Sequence, residues 1–154
     1  MISVRSAEVA DVPRLMEIAR HSVTAARWNE KEYMKFFSRD TAGLHALVIE
    51  QDGIPAGFLV GRQIAEDGWE IENVAIAGDA RRRGLGSHLL GEFLDLVRNR
   101  GGARIYLEVR ESNRAARALY EKWAFTEAGR RKSYYQNPAE DALILELSFP
   151  QKNL

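Results

Sequence analysis

The stretch Val74-Ala75-Ile76-Ala77-Gly78-Asp79-Ala80-Arg81-Arg82-Arg83-Gly84-Leu85-Gly86-Ser87 decides the reading of the fold. An apolar strand runs into it, and Leu85, Leu89, Phe93, Leu96 and Val97 leave it at helical spacing. It therefore predicts a strand, a glycine loop and a helix in that order. Glycine lets a backbone approach a ligand closely and adopt positive φ. The first amides of the helix lack internal partners and, with the helix dipole, make an anion site. Three arginines beside it add charge and phosphate-matching geometry. The chain has no G-x-x-x-x-G-K-[ST] motif, which argues against a nucleoside-triphosphate loop, and the third glycine of G-x-G-x-x-G is missing. An arginine run on the surface before an ordinary helix remains the plain alternative for this loop taken alone.

Outward from the loop, the hydrophobic pattern gives the order βααβββαβαββ. Ile2–Arg5 alternates as a strand, and apolar residues from Ala7 to Arg27 recur at helical spacing. Asn29 is placed to cap a second helix over Glu30–Phe37. Leu44–Glu50, Ile54–Ile64 and Trp69–Ala77 read as strands joined at Asp52-Gly53 and Asp67-Gly68. Gly101-Gly102 ends the long helix, Ile105–Val109 is a short buried-type strand, and Asn113–Trp123 is a helix. Phe125–Arg130 and Leu143–Ser148 complete the set. Antiparallel hairpins that pass through a helix to a further strand predict an α/β (α+β mixed) domain.

Composition narrows the function classes. The 154 residues suit one domain. Twenty-two basic residues balance 22 acidic ones, which argues against a chain that binds nucleic acid through overall positive charge. With no cysteine, thiolate metal sites and cysteine nucleophiles are excluded. His21, His45 and His88 share no metal-ligand spacing, so no metal is expected. The N-terminus is charged throughout and no apolar run approaches the roughly 20 residues of a membrane span, so a cytoplasmic, membrane-free protein is expected.

A second informative stretch is Leu107-Glu108-Val109-Arg110-Glu111-Ser112-Asn113, followed by a helix that carries Tyr120. Asn113 and Tyr120 are seven residues apart, which leaves them within roughly 20° on one helix face. Taken singly, Asn113 reads as an N-cap, Tyr120 as a core aromatic, and Glu108 as a carboxylate paired with Arg110 or a neighbour.

Together these residues resemble a known family. Arg81-x-x-Gly84-x-Gly86 after a strand is similar to the pyrophosphate loop of the GNAT N-acetyltransferases, and the element order matches along nearly the whole chain. L-E-V-R-x-S-N-x-x-A-x-x-L-Y-E resembles the branch that acetylates the N-terminal alanine of a small-subunit ribosomal protein. So do Arg130-Arg131-Lys132-Ser133-Tyr134-Tyr135, Glu140-Asp141-Ala142 and Trp28-Asn29-Glu30. The resemblance implies a mixed, mostly antiparallel sheet of about seven strands flanked by about four helices. It implies acetyl-CoA as co-substrate, with its pyrophosphate on Arg81, Arg82, Arg83, Gly84, Leu85, Gly86 and Ser87. Val74, Ala75 and Ile76 would pair with the pantetheine amides, and Asn113 would touch the coenzyme. Glu108 matches the general base and Tyr120 the general acid; Trp28, Tyr134 and Tyr135 match the peptide site. The implied partner is the N-terminal segment of a protein such as a ribosomal protein, with no nucleic acid or membrane and a monomer or weak dimer as the assembly. The turn Ala77-Gly78-Asp79-Ala80 and the sequence Trp123-Ala124-Phe125 depart from the branch pattern. A small amine, a polyamine or a lysine is the rival acceptor, and a coenzyme A or nucleic-acid binding module the rival class.

The chemistry agrees with an α-amine acceptor. An α-amine, with a pKa of about 7.7–8.0, is roughly a tenth neutral at pH 7, whereas a lysine amine is neutral in about one molecule in a few thousand. One glutamate, acting directly or through water and raised by burial, is enough. The acids Glu66, Asp67, Glu70 and Glu72 read either as a solvated hairpin or as an attractor for a basic N-terminal tail, with Glu72 a reserve base.

Overall fold

The computed structural model describes residues 1–22, 25–26, 28–38, 43–81 and 83–150. Arg82 therefore lies outside the described residues. Seven strands form one sheet: β1 (Ile2–Ser6), β2 (Leu44–Gln51), β3 (Ile54–Gln63), β4 (Gly68–Ile76), β5 (Arg104–Arg110), β6 (Thr126–Tyr135) and β7 (Glu140–Ser148). Their order is β1-β2-β3-β4-β5-β7-β6, and every neighbouring pair is antiparallel except β4 with β5. The α-helices are α1 (Val12–Arg20), α2 (Glu30–Met34), α3 (Leu85–Asn99) and α4 (Arg114–Lys122). A parallel pair needs a crossover, and α3 supplies it between β4 and β5.

The element order is the predicted one, and the boundaries differ where tertiary contacts act. The helical spacing from Ala7 onward resolves into a 3-10 turn at Val9–Asp11 and then α1, which starts with Pro13 in its first turn. Asn29 caps α2 through its side chain, which accepts from the Glu32 amide at 2.9 Å. The helix tightens to 3-10 geometry over Lys35–Phe37. Strand β6 extends five residues beyond the predicted end at Arg130, through Tyr135. Its Arg130-Arg131-Lys132 run resists a strand assignment from sequence, yet an edge strand carries charge freely because one of its sides faces solvent.

Helix α3 packs against β2, β3 and β4 on one face, while α1 packs against β3 and β4. The ring of Phe93 from α3 lies so close to Gly61 of β3 that an added Cβ would sit 2.3 Å from it. Trp69 joins that layer, with its ring 6.1 Å from Phe93. On the α2 side Tyr33, fully buried, meets Phe58 edge-on at 6.1 Å. These two layers and the sheet between them form one continuous core.

Candidate active site

The site lies where two central strands part. β4 and β5 pair from Gly68 opposite Arg104 to Ile71 opposite Leu107, and pairing goes no further. At that point β4 bulges: Gly61 of β3 faces Ile71, Val60 faces Asn73, and Glu72 is the extra residue. A bulge bends its strand and re-aims side chains. Here it sends Glu72 to Arg62, whose Nε donates to Oε1 at 2.6 Å. It sends Asn73 toward the segment between α1 and α2, where its Oδ1 accepts from the Ala26 amide at 3.1 Å. Asn73 is buried, and its Nδ2 has no partner.

Three carboxylates converge at this fork. Glu70 is half-buried; burial raises its carboxyl above the ordinary range, and the negative charges of Glu72 and Glu108 add to the rise. Glu108, on β5 one step past the last paired residue, is flanked by Arg131 of β6, whose Nε stands 2.7 Å from Oε1. Of the two partners read for Glu108, Arg110 or a neighbour, it is the neighbour Arg131 that pairs with it, while Arg110 binds Glu140 at 2.9 Å and stacks over the Tyr135 ring at 4.0 Å. The carboxylate that burial raises is Glu70, whereas Glu108 projects from the strand with its side chain 30% exposed. The acid patch read from sequence thus divides. Glu66 and Asp67 stay at the exposed hairpin turn, while Glu70 and Glu72 join Glu108.

On the other side of the fork lies the glycine loop. Gly84 takes φ +76°, a conformation L side chains rarely adopt, and caps α3 with no side-chain hydrogen bond. The first intrahelical bond runs from the His88 amide to the Gly84 carbonyl at 3.0 Å, so the amides of Leu85, Gly86 and Ser87 precede the helix ladder. The loop's charges are not equivalent. Arg81 ties the loop down, donating from Nε to the Ile76 carbonyl and from Nη2 to the His21 carbonyl, each at 3.2 Å. Arg83 is exposed and reaches Gln51 at 3.4 Å. The Ser87 hydroxyl accepts from the Trp123 indole at 3.1 Å, which locks α3 to α4. Val74, Ala75 and Ile76 carry β4 beyond the fork toward this loop.

Asn113 is the N-cap of α4, its Oδ1 accepting from the Ala116 amide at 3.2 Å. Tyr120 is buried at the other end of α4, with its ring 5.5 Å from Phe125; burial pushes its hydroxyl up to about 12. The predicted peptide-site residues separate into two groups. Tyr134 and Tyr135 form an edge-on pair 5.2 Å apart at the end of β6, Tyr134 exposed and Tyr135 half-buried. Trp28 is half-buried between Tyr33 and Phe36, at 5.7 and 5.6 Å, and so serves the core as well.

A strand fork beside an uncapped glycine-loop helix suits acyl transfer from a pantetheine thioester, and the sequence comparisons agree. Residues 12–125 match the Acetyltransferase (GNAT) family. The chain belongs to that family. It is therefore an N-acetyltransferase. The GNAT relatives include the [Ribosomal protein bS18]-alanine N-acetyltransferase of Escherichia coli (strain K12), 36% identical over 96% of this chain and 97% of that protein. The crystal structure of the Escherichia coli ribosomal-protein-S18-alanine N-acetyltransferase superposes with a TM-score of 0.87 at 34% identity, covering 100% of this chain and 99% of that one. Ard1 from Thermoplasma volcanium shares the GNAT fold with a TM-score of 0.86 at 24% identity, over 97% of this chain and 99% of its own.

Sequence reasoning did not single out Arg62, Asn73 or Arg131 as parts of the site. Glu70 appeared only in the acid patch. The available signal was period two: 70 and 72 are acidic and alternate with Trp69 and Ile71, which marks one polar face of the strand.

Proposed function

We propose that this GNAT enzyme transfers acetyl from acetyl-CoA to the N-terminal α-amine of a protein, and that its substrate class is that of its relatives, a small-subunit ribosomal protein beginning with alanine. The observation that carries the reading is the convergence of Glu70, Glu72 and Glu108 at the fork of β4 and β5, beside the uncapped start of α3. A protonated α-amine needs negative charge to enter and a proton acceptor before attack. Three carboxylates, paired among the described residues with the guanidiniums of Arg62 and Arg131, supply both. Acetyl-CoA supplies the thioester.

The amides of Leu85, Gly86 and Ser87 and the side chain of Arg83 would hold the pyrophosphate, with Arg81 fixing the loop they stand on. The backbone of Val74, Ala75 and Ile76 would align the pantetheine, and the free amide group of Asn113 would reach the coenzyme. Glu108 takes the proton of the amine, directly or through water, and Glu72 holds the cationic end. Tyr134, Tyr135 and Trp28 line the path of the peptide. Tyr120 acts as a hydrogen-bond donor to the charge that develops on sulfur. With its hydroxyl at about 12, full proton transfer to a thiolate whose thiol has a pKa near 8.5 is uphill by about 5 kcal/mol. A monomer or weak dimer working in the cytoplasm fits a ribosomal substrate, and no helix among the described residues is long and apolar enough to cross a membrane.

The test is acetyl transfer to a panel: peptides beginning with alanine, serine and methionine, peptides with internal lysine, and polyamines. Selective modification of the α-amine of the alanine peptide is expected. Preference for lysine or a polyamine overturns the substrate class, and no transfer to any of them overturns the reading altogether.

A further inference from the structure

Two tyrosine–arginine–carboxylate ladders join the ends of β5, β6 and β7, and they differ in how firmly they are built. In the first, Arg110 lies 4.0 Å over the Tyr135 ring and 2.9 Å from Glu140. The second oxygen of Glu140 accepts from the Ser112 amide at 3.2 Å. The arginine and glutamate side chains are 27% and 15% exposed, so every member is fixed by a second contact. In the second ladder, Arg131 stands 2.7 Å from Glu108 and 5.5 Å from the centre of the Tyr134 ring. Its side chain is 55% exposed, and the tyrosine is 51% exposed. Arg131 also springs from an irregular piece of backbone. The pairing of β6 with β7 shifts between Arg131 and Tyr135, and Ser133 takes φ +49°.

A guanidinium on Glu108 is a cation where the substrate's own cation has to go. Resting on the α-amine reading above, we infer that Arg131 is a displaceable stand-in for the substrate ammonium group: it covers Glu108 in the free enzyme and gives up that carboxylate when the peptide enters, keeping its place over Tyr134. Three features support the exchange. An ion pair between partly exposed side chains is weak, so an incoming ammonium displaces it at small cost. An arginine that leaves Glu108 stays held, because its guanidinium already lies over the exposed Tyr134 ring. Coverage is also useful to the free enzyme. It offsets the mutual repulsion of Glu70, Glu72 and Glu108, together with Arg62, which pairs with Glu72. Arg131 is thus a positioning residue that sets the entry cost of the substrate, and the firm Arg110 ladder beside it holds the strand ends still during the exchange.

The two roles open to Arg131 predict opposite signs. If it stands in for the ammonium, Arg131→Gln removes a competitor and lowers the peptide KM by roughly two- to fivefold, the equivalent of an exposed pair, with kcat within about twofold. Arg131→Lys retains a cation at the same place and keeps KM near wild type. Guanidinium chloride at a few millimolar raises KM again in the glutamine variant by filling the vacated place, and sodium chloride at equal ionic strength does so less. An unchanged KM in Arg131→Gln overturns the inference, as does a raised KM, which would make Arg131 a substrate-binding group. Melting temperatures of both variants confirm that they fold. Failure of the α-amine reading is distinct: the wild-type enzyme itself would then leave the alanine peptide unmodified, and the inference would fall with it.

Discussion

Tyr120 concentrates the energetics of the site in one side chain. It is a core residue by burial, the proposed function makes it a site residue, and burial that raises its hydroxyl to about 12 makes it a poor acid. Tyr120→Phe keeps the ring packing against Phe125 and removes only the donor. Turnover is expected to fall roughly 100-fold, the lower range for a positioned proton donor, while the Kd for acetyl-CoA measured by calorimetry stays within about twofold. Unchanged turnover would leave Tyr120 as core alone. Glu70 makes a prediction of the opposite kind. Its folded-state carboxyl is raised by burial and by its two acidic neighbours. Above the unfolded pKa the native state binds more protons than the unfolded state, so this residue makes stability fall as pH rises. Glu70→Gln is therefore expected to gain stability relative to wild type between pH 5 and pH 7.5, read from urea unfolding. A difference that does not change with pH would contradict the shift.

At the scale of elements, the bulge in β4 is the decisive feature. Without the extra residue Glu72, alternation would place Glu72 and Asn73 on opposite faces. With it, both turn toward the α1–α2 side, and β4 leaves β5. The packing of α3 on the same strands depends on Gly61. A methyl group there would meet the Phe93 ring, whose own position is fixed by Trp69. Gly61→Ala is expected to destabilise the protein by about 1–3 kcal/mol, as overpacking of a full core does, visible as a lower urea midpoint with an unchanged slope. The order of elements was legible because helical and alternating patterns differ in period. The bulge was not, because one inserted residue leaves no compositional trace. The second half of β6 was missed for a related reason: Arg130, Arg131 and Lys132 look like a loop until the strand is known to be at an edge.

For the whole molecule, zero net charge conceals an arrangement of local pairs. Seventeen of the 22 basic residues are arginine, and the site uses several of them against carboxylates brought from other strands. The far side of the sheet has its own pair. Arg5 of β1 holds Asp11 through two bonds of 2.8 Å, and Asp11 also accepts from the Glu8 amide at 2.7 Å. Arg5 holds the Asp11 carboxyl below the usual carboxylate range. Its contribution to stability is present above the unfolded pKa of about 3.8 and is lost as pH falls through the lower folded value. Asp11→Ala leaves the guanidinium with Glu50 and the Ser6 carbonyl, and takes from the Glu8 amide its bond to the Asp11 carboxylate. The expected loss is about 2 kcal/mol at pH 7, less than for a fully buried pair because Arg5 is partly exposed. The loss should shrink toward pH 3; a loss independent of pH would show that packing, not charge, was removed.

The sequence by itself determined the family, the order of strands and helices along the chain and the glycine loop, and it singled out Glu108 and Tyr120 as candidates. Those depend on local period, on backbone freedom at glycine and on short motifs whose members are neighbours in the chain. Only the tertiary structure decided which carboxylate is desolvated, which arginine covers Glu108 and which arginine merely ties down a loop. Those answers depend on register and burial: Glu70, Glu108 and Arg131 lie on β4, β5 and β6, and they meet only because a bulge, a parallel pair and an edge strand bring them together.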